Sequence, residues 1–271
     1  IGKYGRRLLK GADLIVAGGT NLLFSHWRKY RQWRLAVSDL RAIDRKLVLM
    51  GTGWTSYLSP PSFLARQAYK AMLSPALQHS VRDSYSKSQL ATAGITSVIN
   101  TGCPTLWRLD NEAMSRIAMH KGERVITTLT DYRKDPGRDT QMLEILKRNY
   151  GQVDLWMQGS TDLDYLNSLG VKDVKPIAPS LAAFDAELAH EGTDFVGTRL
   201  HAGIRALQKG RRAIIISVDN RAREMGRDFG LPVLERSDIA MLEERVSIAT
   251  PLKLALPHAE IEAWRTQFSE M

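Results

Sequence analysis

The sequence predicts a parallel α/β protein made of two successive halves facing a ligand cleft. Three observations carry this. Short apolar, β-branched runs alternate with stretches of helical periodicity along the chain. Glycines follow directly after several of these runs, at Gly18 and Gly19, at Gly51 and Gly53, and at Gly159. A polar stretch with no strand pattern, 106–122, separates two βα series. The chain is therefore read as 1–118 and 119–271, with the final helix expected to pack back on the first half. In sheets of this kind, ligands bind outside the carboxyl ends of the strands.

The elements follow in order. Residues 1–10 read as a helix, and 12–18 as a strand ending in the Gly18–Gly19 turn. Residues 26–34 mix cations and aromatics. With no nucleic-acid module beside it, this patch reads as an amphipathic helix with inward aromatics and solvated cations rather than a base-stacking surface. A strand at 46–50 precedes a helix at 62–73, whose apolar face is expected to hold Phe63, Leu64, Ala68 and Met72. Residues 78–81 form a strand and 84–93 a helix closed by Gly94, followed by a strand at 97–99. The second series has strands at 123–129, 153–157 and 174–177, and helices at 139–150, 162–169 and 181–190. Residues 242–256 read as irregular, and 259–268 as a last helix. No internal repeat or low-complexity tract is evident.

Composition excludes several classes. The content is 44% hydrophobic and 25% charged, ordinary for a globular chain. No apolar run approaches the roughly 20 residues that span a bilayer. A single cysteine, Cys103, rules out an intrachain disulfide and a cysteine-based zinc site, and fits a reducing compartment. No two of the 6 histidines have ligand-like spacing, so no metal is expected. No Gly-x-Gly-x-x-Gly follows a strand, which argues against a dinucleotide-dependent oxidoreductase. The net charge of +9 suggests acidic partners without choosing among nucleic acid, anionic lipid and phosphorylated substrates. The chain begins at Ile1 with no signal peptide in view, and a preceding segment is expected.

The stretch 194–232 organises the chemistry, and it reads as loop, helix, strand, loop. Thr198 is the expected N-cap. Leu200, Ile204 and Leu207 share one helical face, Gly210 ends the helix, and 213–218 is a buried parallel strand. Arg199 and His201 then fall in the first helical turn, where free amides and the helix dipole attract anions. Together they suit holding a phosphate or carboxylate and moving a proton, although a histidine there can equally cap or pack. The helix field is expected to lower the His201 pKa. Arg133, after the first strand of the second half, is a second candidate cation or a solvated loop arginine. Arg82 and Asp83 suit either a ligand contact or a structural pair with a cap. Ser217 and Asp219 lie just past a strand end, where Asp219 can contact ligand or cap the next helix. Gly18, Gly19 and Asn21 can line the cleft from the first half.

Several pieces together resemble the polysaccharide pyruvyl transferase family. They are Ala-Asp-Leu-Ile-Val-Ala-Gly-Gly-Thr-Asn at 12–21, Val-Arg-Asp-Ser-Tyr-Ser at 81–86 with Ala-Gly-Ile at 93–95, Thr-Gly-Cys-Pro-Thr at 101–105, and Thr-Arg-Leu-His at 198–201 with Ile-Ile-Ile-Ser-Val-Asp downstream. The resemblance implies two Rossmann-like domains similar to the GT-B glycosyltransferase fold. It also implies transfer of pyruvate from phosphoenolpyruvate to a sugar of a cell-surface polysaccharide or its lipid-linked precursor, forming a ketal. It implies catalytic roles for Arg199 and His201. Donor binding is expected from Thr198, Arg199, Leu200, His201, Arg133 and Ser217, and acceptor binding from Gly18, Gly19, Asn21 and Arg82. No cofactor is required beyond phosphoenolpyruvate as co-substrate. Cytoplasmic work at the inner face of a membrane, with peripheral association and without nucleic acid, follows as an expectation. The sequence departs from the family pattern twice: it lacks an early Asn-x-Gly-Asp-like loop, and it carries Cys103 where an Asp is common. A glycosyltransferase using a nucleotide sugar and a non-enzymatic binder of acidic polymer are the competing readings.

Overall fold

The computed structural model describes residues 1–27, 33–54 and 56–269. Most of the aromatic and basic patch at 26–34 therefore lies outside the described residues. The chain divides into two compact units, residues 1–107 with 255–271, and residues 108–254.

The first unit opens with α1 (Lys3–Gly11), β1 (Ile15–Gly18), α2 (Val37–Ile43) and β2 (Leu47–Met50). It continues with α3 (Phe63–Met72), β3 (His79–Val81), α4 (Ser84–Thr92) and β4 (Val98–Asn100). β1 pairs with β2 and β3 with β4, both in parallel. Between the two pairs a backbone bridge joins Thr52 to Val81, and side chains extend the connection. The Leu49 amide donates to His79 Nδ1 at 3.4 Å, and the Gly51 amide donates to Ser80 Oγ at 2.8 Å. The Nε2 of His79 meets the Ser74 carbonyl at 3.0 Å. A carbonyl can only accept and an amide N–H can only donate, so the ring is neutral with its proton on Nε2. Burial lowers the His79 pKa to about 4.

Ser62 caps α3 by accepting from the Ala65 amide. The helix buries Ala65, Ala68, Tyr69 and Met72, whereas Phe63 and Leu64 face solvent, so the expected apolar face is rotated by about one residue. The Tyr69 hydroxyl fastens this face to the core by donating to the Phe24 carbonyl at 2.7 Å. α2 was not evident in the sequence. Its N-cap is Ala36, which has no capping oxygen, and Asp39 supplies the reciprocal half of a capping box by accepting from the Ala36 amide at 2.8 Å.

The second unit contains α5 (Asn111–Ser115), β5 (Arg124–Thr127), α6 (Pro136–Asn149), β6 (Gln152–Trp156), α7 (Asp162–Ser168) and β7 (Lys175–Ile177). It continues with α8 (Leu181–Ala189), β8 (Thr193–Gly197), α9 (Leu200–Gln208), β9 (Ala213–Ser217), α10 (Asn220–Phe229), β10 (Val233–Glu235) and α11 (Leu242–Ser247). Its six strands are all parallel, in the order β10-β9-β8-β5-β6-β7. From β5 the chain winds outward through β6 and β7, then returns to the other side of β5 and winds through β8, β9 and β10. The direction therefore reverses between β5 and β8. The chain closes with α12 (His258–Thr266), in the first unit.

Three expectations are corrected here. Residues 194–197 are not loop but most of β8, which is buried at every position. Its charged member, Asp194, accepts from the Tyr150 hydroxyl at 2.8 Å, Arg212 Nη1 at 3.1 Å and the Gly122 amide at 3.3 Å. Burial pushes the Asp194 carboxyl upward, opposed by these donors. Residues 242–247, read as irregular, form α11. Buried Arg212 holds the end of α11 by donating to the carbonyls of Arg245, Val246 and Ile248. Thr198 is not the N-cap of α9; Arg199 occupies that position.

Candidate active site

The carboxyl ends of β5, β6, β8 and β9 gather the charged residues of the second unit. The centre is Arg199, which follows β8 at the point where the sheet reverses direction. Its Nε donates to the Leu129 carbonyl at 2.9 Å, and its Nη2 donates to Asp131 Oδ1 at 3.0 Å and Asp162 Oδ1 at 2.8 Å. Its guanidinium carbon lies 5.2 Å from the ring centroid of Tyr132. Arg199 is thus fixed by two segments at once, the loop after β5 and the start of α7 after β6. Among the described residues its Nη1 donates no hydrogen bond.

Asp162 is fully buried and accepts from the amides of Gln158 and Gly159 at 2.9 and 2.6 Å. Asp131 accepts from the Thr161 hydroxyl at 2.7 Å. That bond, reinforced by the Arg199 charge, holds the Asp131 carboxyl below the usual carboxylate range. The cluster closes over Gly159. A Cβ there would lie 2.8 Å from Arg199 Nη2 and 2.9 Å from Asp131 Oδ2 and Asp162 Oδ1, so any side chain at this position would have to displace the cluster.

Thr198 is buried, and its hydroxyl is engaged by the Thr128 carbonyl at 3.0 Å and Thr130 Oγ1 at 2.8 Å, where it locks β8 to the loop after β5. Leu200 is buried and His201 exposed, both in the first turn of α9. Arg133 ends the 3₁₀ turn Asp131–Arg133 after β5, and its side chain is exposed. Ser217 is buried, with its hydroxyl donating to the Asp219 carbonyl at 3.1 Å. Asp219 caps α10 by accepting from the Arg221 amide at 2.9 Å. It also pairs with the Arg221 guanidinium at 2.6 Å, and that guanidinium donates to the Tyr132 hydroxyl at 3.1 Å. Arg199, His201 and Arg133 therefore share one rim, while Thr198 and Ser217 lie beneath it.

In the first unit, Gly18 is exposed at the end of β1, and Gly19 follows with a φ of 63°. Asn21 and Arg82 are buried together: Arg82 Nη2 donates to Asn21 Oδ1 at 2.7 Å, and Arg82 Nε donates to Asp83 Oδ2 at 3.3 Å. Asp83 also caps α4 by accepting from the Ser86 amide at 2.7 Å. Of the two readings open for Arg82 and Asp83, the geometry is that of the pair with a cap.

The sequence reading missed Asp131, Asp162 and Tyr132 as members of the rim. The available signal was positional, since both carboxylates stand just past the ends of adjacent strands, β5 and β6. Among the described residues, no group of three or more His, Cys, Asp or Glu side chains is placed to hold a metal. No helix among them is long and apolar enough to cross a membrane.

A two-unit α/β chain with a six-stranded parallel sheet of this strand order has the form of the GT-B fold. The sequence profile described as polysaccharide pyruvyl transferase matches residues 2–220. The chain belongs to the polysaccharide pyruvyl transferase family. No curated protein sequence matches it. Among solved structures, it is similar to UDP-GlcNAc 2-epimerase from Methanocaldococcus jannaschii, determined in complex with UDP-GlcNAc and UDP. The TM-score is 0.56 at 11% identity, over 97% of this chain and 77% of that one. At that identity the likeness is one of fold.

Proposed function

We propose that the protein transfers pyruvate from phosphoenolpyruvate to a sugar of a cell-surface polysaccharide or its lipid-linked precursor, forming a pyruvate ketal. Family membership supports the reaction class. The observation that carries the site is the placement of Arg199 at the N-cap and His201 in the first turn of α9, which follows β8 beside β5, with exposed Arg133 in the loop after β5.

The donor is an anion with a carboxylate and a phosphate. Arg133 and the Nη1 edge of Arg199 suit its charged groups, and the Asp131 and Asp162 carboxylates keep that edge oriented. The reaction adds a proton to the methylene carbon, and a sugar hydroxyl oxygen bonds to C2. The C2–O bond to phosphate breaks, phosphate leaves with the electron pair, and a second hydroxyl closes the ketal. His201 is the group assigned to the proton steps, because imidazole exchanges protons near neutrality. Thr198 and Ser217 act from below by holding the loops. On the acceptor side, Gly18 and Gly19 offer open backbone, and the Asn21–Arg82 pair supports that loop from behind.

The test is incubation with phosphoenolpyruvate and candidate sugars, free and lipid-linked. The expected product gains the mass of one pyruvic acid less one water, with release of phosphate. Because His201 is exposed, His201→Ala should abolish turnover with an unchanged circular dichroism spectrum. Near-normal turnover in that variant would remove His201 from the chemistry. Release of a nucleoside diphosphate from a nucleotide sugar, without use of phosphoenolpyruvate, would assign the chain to glycosyl transfer instead.

A further inference from the structure

The positive charge of this protein is concentrated at one end. Residues 1–46 hold 11 Lys and Arg against 3 Asp, a net of +8, while the whole chain carries +9. The remaining 225 residues are therefore nearly neutral. Within that basic segment, α1 reads Lys-Tyr-Gly-Arg-Arg-Leu-Leu-Lys-Gly and has no acidic residue.

The structure fixes how this helix is presented. No residue of α1 is fully buried, and Leu9 packs against the core of the first unit. Lys46 Nζ caps the helix end by donating to the carbonyls of Leu9, Lys10 and Ala12 at 3.2, 3.0 and 2.8 Å. Arg6 is neutralised by buried Asp39 on α2 at 2.9 Å. Away from Leu9, helical spacing places Tyr4 and Leu8 in one stripe and Lys3, Arg7 and Lys10 in another. Tyr4 is 76% and Leu8 57% exposed, and the three cations of the second stripe are exposed and make no ion pair among the described residues.

We infer that the outer face of α1 docks on an anionic lipid bilayer surface, with Tyr4 and Leu8 entering the headgroup boundary and Lys3, Arg7 and Lys10 on the lipid charges. Charge complementarity selects this occupant. A second copy would bring a like-charged face against it. A soluble acidic polymer would use the cations and leave the apolar stripe in water. A bilayer interface satisfies both stripes. The inference is independent of the transfer chemistry.

The test is co-sedimentation of the full chain with vesicles of phosphatidylcholine alone and of phosphatidylcholine mixed with phosphatidylglycerol. Binding is expected to the mixed vesicles only, and to weaken as salt is raised. Each neutralised cation should lower partitioning about fivefold. Lys3→Gln/Arg7→Gln/Lys10→Gln together should lower it on the order of a hundredfold. Tyr4→Ser/Leu8→Ser should also weaken it. These side chains are exposed, so all variants should keep the native circular dichroism spectrum. Failure to bind either vesicle, or equal binding to both, would overturn the inference. Undiminished binding of Tyr4→Ser/Leu8→Ser would reassign the face to polyanions. A wild-type dimer that the same double variant converts to monomer in sedimentation velocity would reassign it to a second copy.

Discussion

At the scale of single residues, the rim depends on an atom that is not there. Gly159 leaves the space in which Arg199, Asp131 and Asp162 meet. Gly159→Ala places a methyl group against three charged atoms, one of them on a fully buried carboxylate. It should destabilise the protein by about 1–3 kcal/mol and impair use of phosphoenolpyruvate, read by urea denaturation and by steady-state kinetics. A second residue-scale consequence concerns His79, held neutral with its pKa at about 4. Between the ordinary value of 6.5 and about 4, the unfolded chain takes up a proton at this position and the folded chain does not. Stability should therefore fall as pH drops through that window, by about 3 kcal/mol from this group. Denaturant midpoints measured across the window should show a steeper slope in the wild type than in His79→Gln. Equal slopes would mean that His79 does not govern the effect.

At the scale of elements, the differences between sequence and structure have local causes. Arg199 and His201 were legible because they sit in one short piece of chain opening a strongly periodic helix. Asp131 and Asp162 were not, because they follow different strands and only strand pairing brings them to Arg199. β8 was missed because Asp194 interrupts its apolar run. The sequence does not reveal that Tyr150 and Arg212, far from it along the chain, satisfy that carboxylate. The face of α3 was partly read: Ala68 and Met72 are buried as expected, whereas Ala65 and Tyr69 take the inward places given to Phe63 and Leu64. Arg212 ties two of these elements together, holding β8 through Asp194 and the end of α11 through three carbonyls. Arg212→Met leaves Asp194 with a buried charge and one cation fewer. It should cost about 3–5 kcal/mol, seen as a lowered urea midpoint.

At the scale of the whole molecule, the alternation of strands and helices was enough to give the parallel α/β class, and the charge balance pointed to acidic partners. The uneven placement of that charge needed the helix α1 to give it a direction. The strand order of the second unit carries a further consequence, for how the protein folds. Neighbouring strands on either side of the reversal, β5-β6-β7 and β8-β9-β10, are close in sequence and can pair early. The seam between them joins Arg124 to Thr193, the most distant pairing in the sheet. Closing a loop that long is slow, so the seam should form late. The Thr128–Thr198 and Asp131–Arg199 bonds lie across that seam. The charged rim should therefore assemble only when this late seam closes.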